Sequence, residues 1–212
     1  MKPDSLRLAA EYFAHRGWAA VVCMCRGYGK TTASYAGGCG PCSNPDFLAS
    51  GTAIAADYEA AIHALSKRSL FDARKVIAVG QSAGGYGVLT LAGRRVPGLQ
   101  AVVNFSGGRG SILRSPGCNE DRLANAFTVM GEKALVPSLW LYAESDSYFR
   151  PALVSRLYTA FHKGPVLAEL RMLRGISVEG HFLIHRRAKG NWDAPLDAFL
   201  VGLPMAGRVA GR

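Results

Sequence analysis

The sequence predicts a single α/β domain with a mostly parallel sheet and helices on both faces. Helical and strand-like periodicities alternate along nearly the whole chain, the pattern of βαβ units. The strand-like runs are short and almost wholly apolar, as in strands covered on both sides. A third observation places chemistry on this frame: Gly80-Gln81-Ser82-Ala83-Gly84 falls where one such run ends and a helix opens.

In chain order, residues 4–16 carry Leu6, Leu8, Ala9, Tyr12 and Phe13 at helical spacing, stopped by Gly17. WAAVVCMC (18–25) predicts the first strand. Residues 26–50 are rich in Gly, Ser, Pro and Asn, and loops of that length are usually functional or disordered. A helix over 52–68 presents Ile54, Tyr58, Ala61, Ile62 and Leu65 on one face. KVIAVG (75–80) predicts the second strand, followed by an abrupt turn and an apolar helix over 83–93. LQAVVNF (99–105) and VPSLWLYA (136–143) predict the third and fourth strands, with a helix over 120–130 between them. Pro151 suits the first turn of a helix over 151–163. VLAELRML (166–173) predicts the last strand and 192–201 a final helix. No repeat, low-complexity tract or linker interrupts the pattern, so one domain is expected over 1–212.

Composition narrows the function. Of the 212 residues 49% are hydrophobic, enough for a sizeable core. No apolar run approaches the roughly 20 residues that span a bilayer, so no membrane partner is expected. The N-terminal segment lacks the apolar region of a secretory signal. The compartment stays open: periplasmic or secreted if a longer form carries a signal, otherwise cytoplasmic. The net charge of +10 favours anionic partners in general, but the bases are scattered. With no basic stripe and no nucleic-acid motif, nucleic acid is not an expected partner. Five cysteines without zinc spacing predict neither a disulfide scaffold nor a metal, and no organic cofactor is implied. Cys23 and Cys25 share one face of an apolar run and read as small hydrophobes. Cys39-Gly40-Pro41-Cys42 has redox spacing but lies deep in a Gly-rich loop, not at a helix start after a strand.

Gly-X-Ser-X-Gly is weak evidence alone, and its placement gives it weight. A nucleophilic serine must occupy a tight strand-to-helix turn so that its hydroxyl projects above the sheet. Flanking glycines keep side chains from colliding there, and the helix opening at Ala83 offers free N–H groups to a developing oxyanion. A serine hydroxyl is a poor nucleophile at neutral pH and needs a base oriented by a carboxylate. Where a Gly-X-Ser-X-Gly elbow of this kind carries the serine, the acid and then the histidine follow it in sequence. Asp146, in the loop past the fourth strand, is the candidate acid, and Glu144 its rival. His181, in the loop after the last strand, is the candidate base. His185 competes but stands beside Arg186 and Arg187, a neighbourhood that disfavours protonation. Tyr28, Tyr86, Phe149 and Trp192 are candidate pocket residues, although such aromatics are more often core.

At RGYGKT (26–31), KVIAVGQSAGGYG (75–87), VVNFSGGRGS (102–111), LWLYAESDSYF (139–149) and GHFL (180–183) the chain resembles the dienelactone-hydrolase-like branch of the α/β-hydrolase superfamily. The resemblance implies the α/β-hydrolase fold and an esterase acting on small carboxylic esters or lactones. It also implies a triad of Ser82, Asp146 and His181. Similar proteins carry one cysteine in the long loop and another after the GGRGS segment, which makes Cys42 and Cys118 a candidate disulfide. A prolyl-oligopeptidase-type peptidase shares the fold and is the alternative activity.

The chain departs from the family at its start, where three strands normally precede the first helix. Without the third of them, the sheet is expected to have a gap unless 18–25 pairs directly with 75–80, a permissible crossover. One oxyanion donor normally follows that third strand, so only the Ala83 N–H is expected to remain. A lost donor costs on the order of 10²–10³ in rate. The expected account is an internal start within a longer protein, with a non-catalytic remnant as the rival.

Overall fold

The structure is a computed structural model describing residues 6–29, 33–70, 72–111, 117–176, 178–185 and 192–203. The helices are α1 (Arg7–Ala14), α2 (Phe47–Ser66), α3 (Ala83–Leu91), α4 (Glu120–Lys133), α5 (Pro151–Phe161) and α6 (Asp193–Gly202). The strands are β1 (Val76–Gln81), β2 (Leu99–Phe105), β3 (Ser138–Ala143) and β4 (Ala168–Leu173), and a 3₁₀ turn spans Gly180–His185. The strands form one parallel sheet in the order β1-β2-β3-β4, each step a crossover through a helix.

Alternate strand residues separate two cores. Ala101, Val103 and Phe105 of β2 and Leu139 and Leu141 of β3 face α1 and α6, where Tyr12, Phe13, Trp192 and Leu196 are buried. Val102, Trp140 and Tyr142 face the opposite layer, built from α2, α3, α4 and α5. Both faces of β2 and β3 are therefore dry, which explains their uninterrupted apolar sequences. This three-layer arrangement is the one expected of an α/β-hydrolase fold.

The expected strand at 18–25 does not form. That segment runs without strand pairing and is half-buried or exposed, with Val21 46% exposed. Its composition suits a strand, but pairing needs a neighbour, and β1 is an edge strand among the described residues. Tyr58 of α2 covers part of the unpaired edge, its hydroxyl donating to the Val79 carbonyl at 3.2 Å. Burial pushes the thiols of nearby Cys23 and Cys25 up from the ordinary cysteine range. Helix α2 starts five residues before its expected onset because Asp46 caps it, accepting from Ala49 N at 2.8 Å.

Candidate active site

Ser82 occupies the turn between β1 and α3 with φ 55° and ψ −121°. This is a left-handed conformation that costs a non-glycine residue about 1–3 kcal/mol. Its surroundings hold it there. Ser82 N–H donates to Phe105 O at 3.0 Å, and Ser82 O accepts from Tyr86 N at 2.9 Å and Gly108 N at 3.3 Å. The turn is too tight for a side chain before the serine: a Cβ on Gly80 would lie 2.3 Å from the Gly84 carbonyl, while one on Gly84 would meet the Tyr58 hydroxyl at 3.0 Å. Ser82 itself is half-buried, at the C-terminal end of β1.

Two loops at the same end of the sheet bring the other predicted residues to it. His181 Nε2 lies 3.0 Å from Ser82 Oγ, and His181 Nδ1 lies 3.3 Å from Asp146 Oδ2. Asp146 Oδ1 accepts the backbone N–H groups of Tyr148 and Phe149, each at 2.9 Å, which turns Oδ2 toward the imidazole. Asp146 is 3% exposed and His181 4%, so the carboxylate and the imidazole are shielded from water. The rivals lie elsewhere. Glu144 pairs with Arg174 at the surface at 3.0 Å, and His15, His63 and His162 are exposed. His185 stands at the far end of the 3₁₀ turn, with its ring 5.9 Å from that of Phe182.

The candidate pocket residues divide. Tyr28 is 37% exposed and packs edge-on against Tyr35 at 5.2 Å. Phe149 is 1% exposed and lies under the His181 ring, centroids 5.7 Å apart. Tyr86 and Trp192 are not pocket residues. Tyr86 is fully buried, with its hydroxyl donating to Phe47 O and its ring against Phe127. Trp192 packs between Tyr12 and Phe105 in the opposite core. Cys42 and Cys118 form a disulfide that ties the long loop to the segment before α4. Cys39 is a free thiol, so Cys39 and Cys42 do not form a redox pair.

Several residues at the site carry no sequence signal strong enough to select them. The Tyr148 ring stacks on His181 with centroids 4.2 Å apart. Gln81, the variable residue before the serine, donates to His181 O at 2.9 Å. Glu179 accepts from the backbone N–H of His181 at 2.9 Å. Their nearness to the motif residues in sequence is the one available hint. Among the described residues no group of three or more His, Cys, Asp or Glu could hold a metal ion, and no helix is long and apolar enough to cross a membrane.

Comparison with known proteins agrees with this frame. The model of the prolyl oligopeptidase family matches residues 5–104. A protein described as a dienelactone hydrolase from Klebsiella pneumoniae superposes with a TM-score of 0.52 at 19% identity, over 71% of this chain and 60% of that one. An esterase from Pyrococcus furiosus gives a TM-score of 0.67 at 14% identity, over 93% of this chain and 74% of that one. A thermophilic esterase from Thermogutta terrifontis, with propionate bound, gives 0.58 at 20% identity, over 97% and 80%. The chain thus spans less than two thirds of the dienelactone hydrolase's length. No curated protein matches it. At these identities the likeness is one of fold: the chain has the α/β-hydrolase fold, in a form similar to dienelactone-hydrolase-like proteins and to esterases.

Proposed function

We propose that the chain is a serine hydrolase of small carboxylic esters or lactones, with Ser82 as nucleophile, His181 as general base and Asp146 as the acid that orients it. The observation that carries this reading is the hydrogen-bonded line Ser82 Oγ–His181–Asp146 at the C-terminal end of the sheet. In the first step Ser82 Oγ attacks the ester carbonyl while its proton passes to His181 Nε2. The N–H of Ala83, in the first turn of α3 and without an intrahelical acceptor, faces the developing oxyanion. The imidazolium, held by Asp146, returns the proton to the leaving alkoxide. A water then gives His181 its proton, attacks the acyl carbon and restores the Ser82 hydroxyl.

The likeness to esterases supports ester substrates. The prolyl oligopeptidase match over residues 5–104 favours peptide amides as the second reading. The deciding experiment treats the chain with a fluorophosphonate and reads intact mass, with Ser82→Ala as control, then compares p-nitrophenyl acetate with a dipeptide p-nitroanilide. One adduct lost in the variant, with turnover of the ester, is expected. Turnover of the anilide alone selects the peptidase, and no adduct on folded protein rejects both.

A further inference from the structure

Resting on the serine-hydrolase reading, we propose that Glu179 is a positioning residue that sets His181 against Asp146 by clamping the loops that carry them. Its carboxylate spans the two loops. Oε1 accepts from the backbone N–H of Ser147 at 3.1 Å and from that of His181 at 2.9 Å, and Oε2 accepts from the Ser147 hydroxyl. Ser147 directly follows Asp146 in the chain, so one side chain holds the base and the neighbour of the acid together.

Other bonds join the same loops without doing this. Ser145 Oγ donates to Val178 O at 2.9 Å, and Gly180 N donates to Ser145 O at 3.2 Å. Neither touches His181. The far end of the His181 peptide is held by Gln81, whose amide donates to its carbonyl. Gln81 therefore registers the base to the nucleophile, and Glu179 registers it to the acid. Tyr148 stacks on the imidazole and covers one face, but stacking alone permits sliding.

The division matters because the His181–Asp146 contact has little slack. At 3.3 Å it already exceeds the usual N–H···O range of about 2.7–3.2 Å. Losing the clamp frees the His181 backbone from the neighbour of Asp146, and a further few tenths of an ångström leaves Nδ1 without its acceptor. Burial alone would raise the carboxyl pKa of Glu179. The donors from Ser147 and His181 outweigh it and hold the group below the usual carboxylate range. The clamp is therefore charged wherever a histidine base works.

The test uses Glu179→Ala and Glu179→Gln in the full chain, with p-nitrophenyl acetate as probe. Glu179→Ala is expected to lower kcat about 10–100-fold, with KM within about twofold. It is also expected to remove the far-downfield proton NMR signal of a carboxylate-bonded His181 Nδ1–H, assigned by its loss in His181→Ala. Glu179→Gln, whose Oε1 still accepts both backbone N–H groups, is expected to restore most of kcat and the signal. The proposal is overturned if Glu179→Ala keeps both kcat and the signal. It is equally overturned if both variants lose activity only in step with folded fraction. A wild-type chain that neither reacts with fluorophosphonate nor turns over ester defeats the hydrolase reading alone. The NMR signal, which needs no turnover, then still decides the clamp: present in wild type and lost in Glu179→Ala supports it, and absence from wild type or persistence in Glu179→Ala rejects it.

Discussion

Asp146→Asn tests the assignment of roles at the site with a change of one atom. Because Oδ1 of Asp146 is fixed by two backbone donors at 2.9 Å, asparagine keeps its carbonyl oxygen on them and turns its NH₂ toward His181. Nδ1 must then accept rather than donate, and the ring proton moves to Nε2. That proton sits 3.0 Å from Ser82 Oγ, where the base needs a lone pair. In the Ser-His-Asp template this tautomer error alone lowers kcat about 10⁴-fold. Here the acid–base contact is long, at 3.3 Å, so less is at stake and a loss of about 10³ is expected, or roughly 4 kcal/mol. The assay is the second-order rate of fluorophosphonate labelling by intact mass, with the unfolding midpoint as control. Asparagine has the same volume and keeps both backbone bonds, so the midpoint should move little. Labelling of Asp146→Asn within tenfold of wild type, at equal stability, refutes the reasoning.

Two further outcomes follow from bonds outside the site. The Cys42–Cys118 disulfide closes a loop of sequence separation 76, for which chain entropy gives about 4.5 kcal/mol. Urea unfolding of the Cys42→Ser/Cys118→Ser double variant should show a midpoint well below that of the oxidised chain, and coincident midpoints reject the estimate. On the opposite core, Asp197 accepts from Arg16 at 2.6 and 2.8 Å and from the Tyr12 hydroxyl, fixing α6 to α1. Arg16 holds the Asp197 carboxyl below its ordinary value against a smaller effect of burial. Its folded pKa is depressed, so the stabilisation is present above the unfolded value of about 3.9 and lost as pH falls through the folded one. The pair is 35% and 42% exposed, which limits the effect to under about 1 kcal/mol. Asp197→Asn should therefore be slightly less stable than wild type at pH 7 and equal to it near pH 2, and an equal deficit at both pH values counts against the ion pair.

What the sequence made legible is what local pattern determines. The expected strands at 75–80 and 99–105 match β1 and β2 to within a residue because both are short apolar runs with turn signals on each side. The elbow was legible because its glycines and serine must sit two apart in one turn. What escaped depends on contacts distant in sequence. Tyr86 and Trp192 looked as suited to a pocket as Phe149 did, and only their packing against Phe127 and Tyr12 puts them in the cores. Glu179 belongs to no motif, and its part in the site shows only where Ser147, 32 residues away, closes on it. Residues 18–25 have the composition of a buried strand, yet composition cannot supply the neighbour with which a strand pairs.

The unformed strand bears on Ser82, because among the described residues it leaves β1, whose last residue Gln81 precedes Ser82, on the edge of the sheet. Val76 N donates to Gly98 O and Ser82 N to Phe105 O, so even-numbered residues turn their peptide groups toward β2. Ile77, Val79 and Gln81 turn theirs the other way, and among the described residues the Val79 carbonyl meets a partner there, the Tyr58 hydroxyl. The strained conformation of Ser82 is thus held by Phe105, Tyr86 and Gly108, with Tyr58 bracing β1 at Val79, where an interior strand would have a second neighbour. Native-state hydrogen exchange should show this as alternation along β1: fast exchange at Ile77 and Val79, slow at Ala78 and Gly80. Tyr58→Phe removes the single substitute bond, worth about 0.5–1.5 kcal/mol. It should quicken exchange at Ala78 and Gly80 while leaving β3 unchanged, since local opening of an edge strand does not require the interior strands to part. Uniformly slow exchange along β1 would mean that the edge is covered in solution, and the strain at Ser82 would then have a support beyond Tyr58.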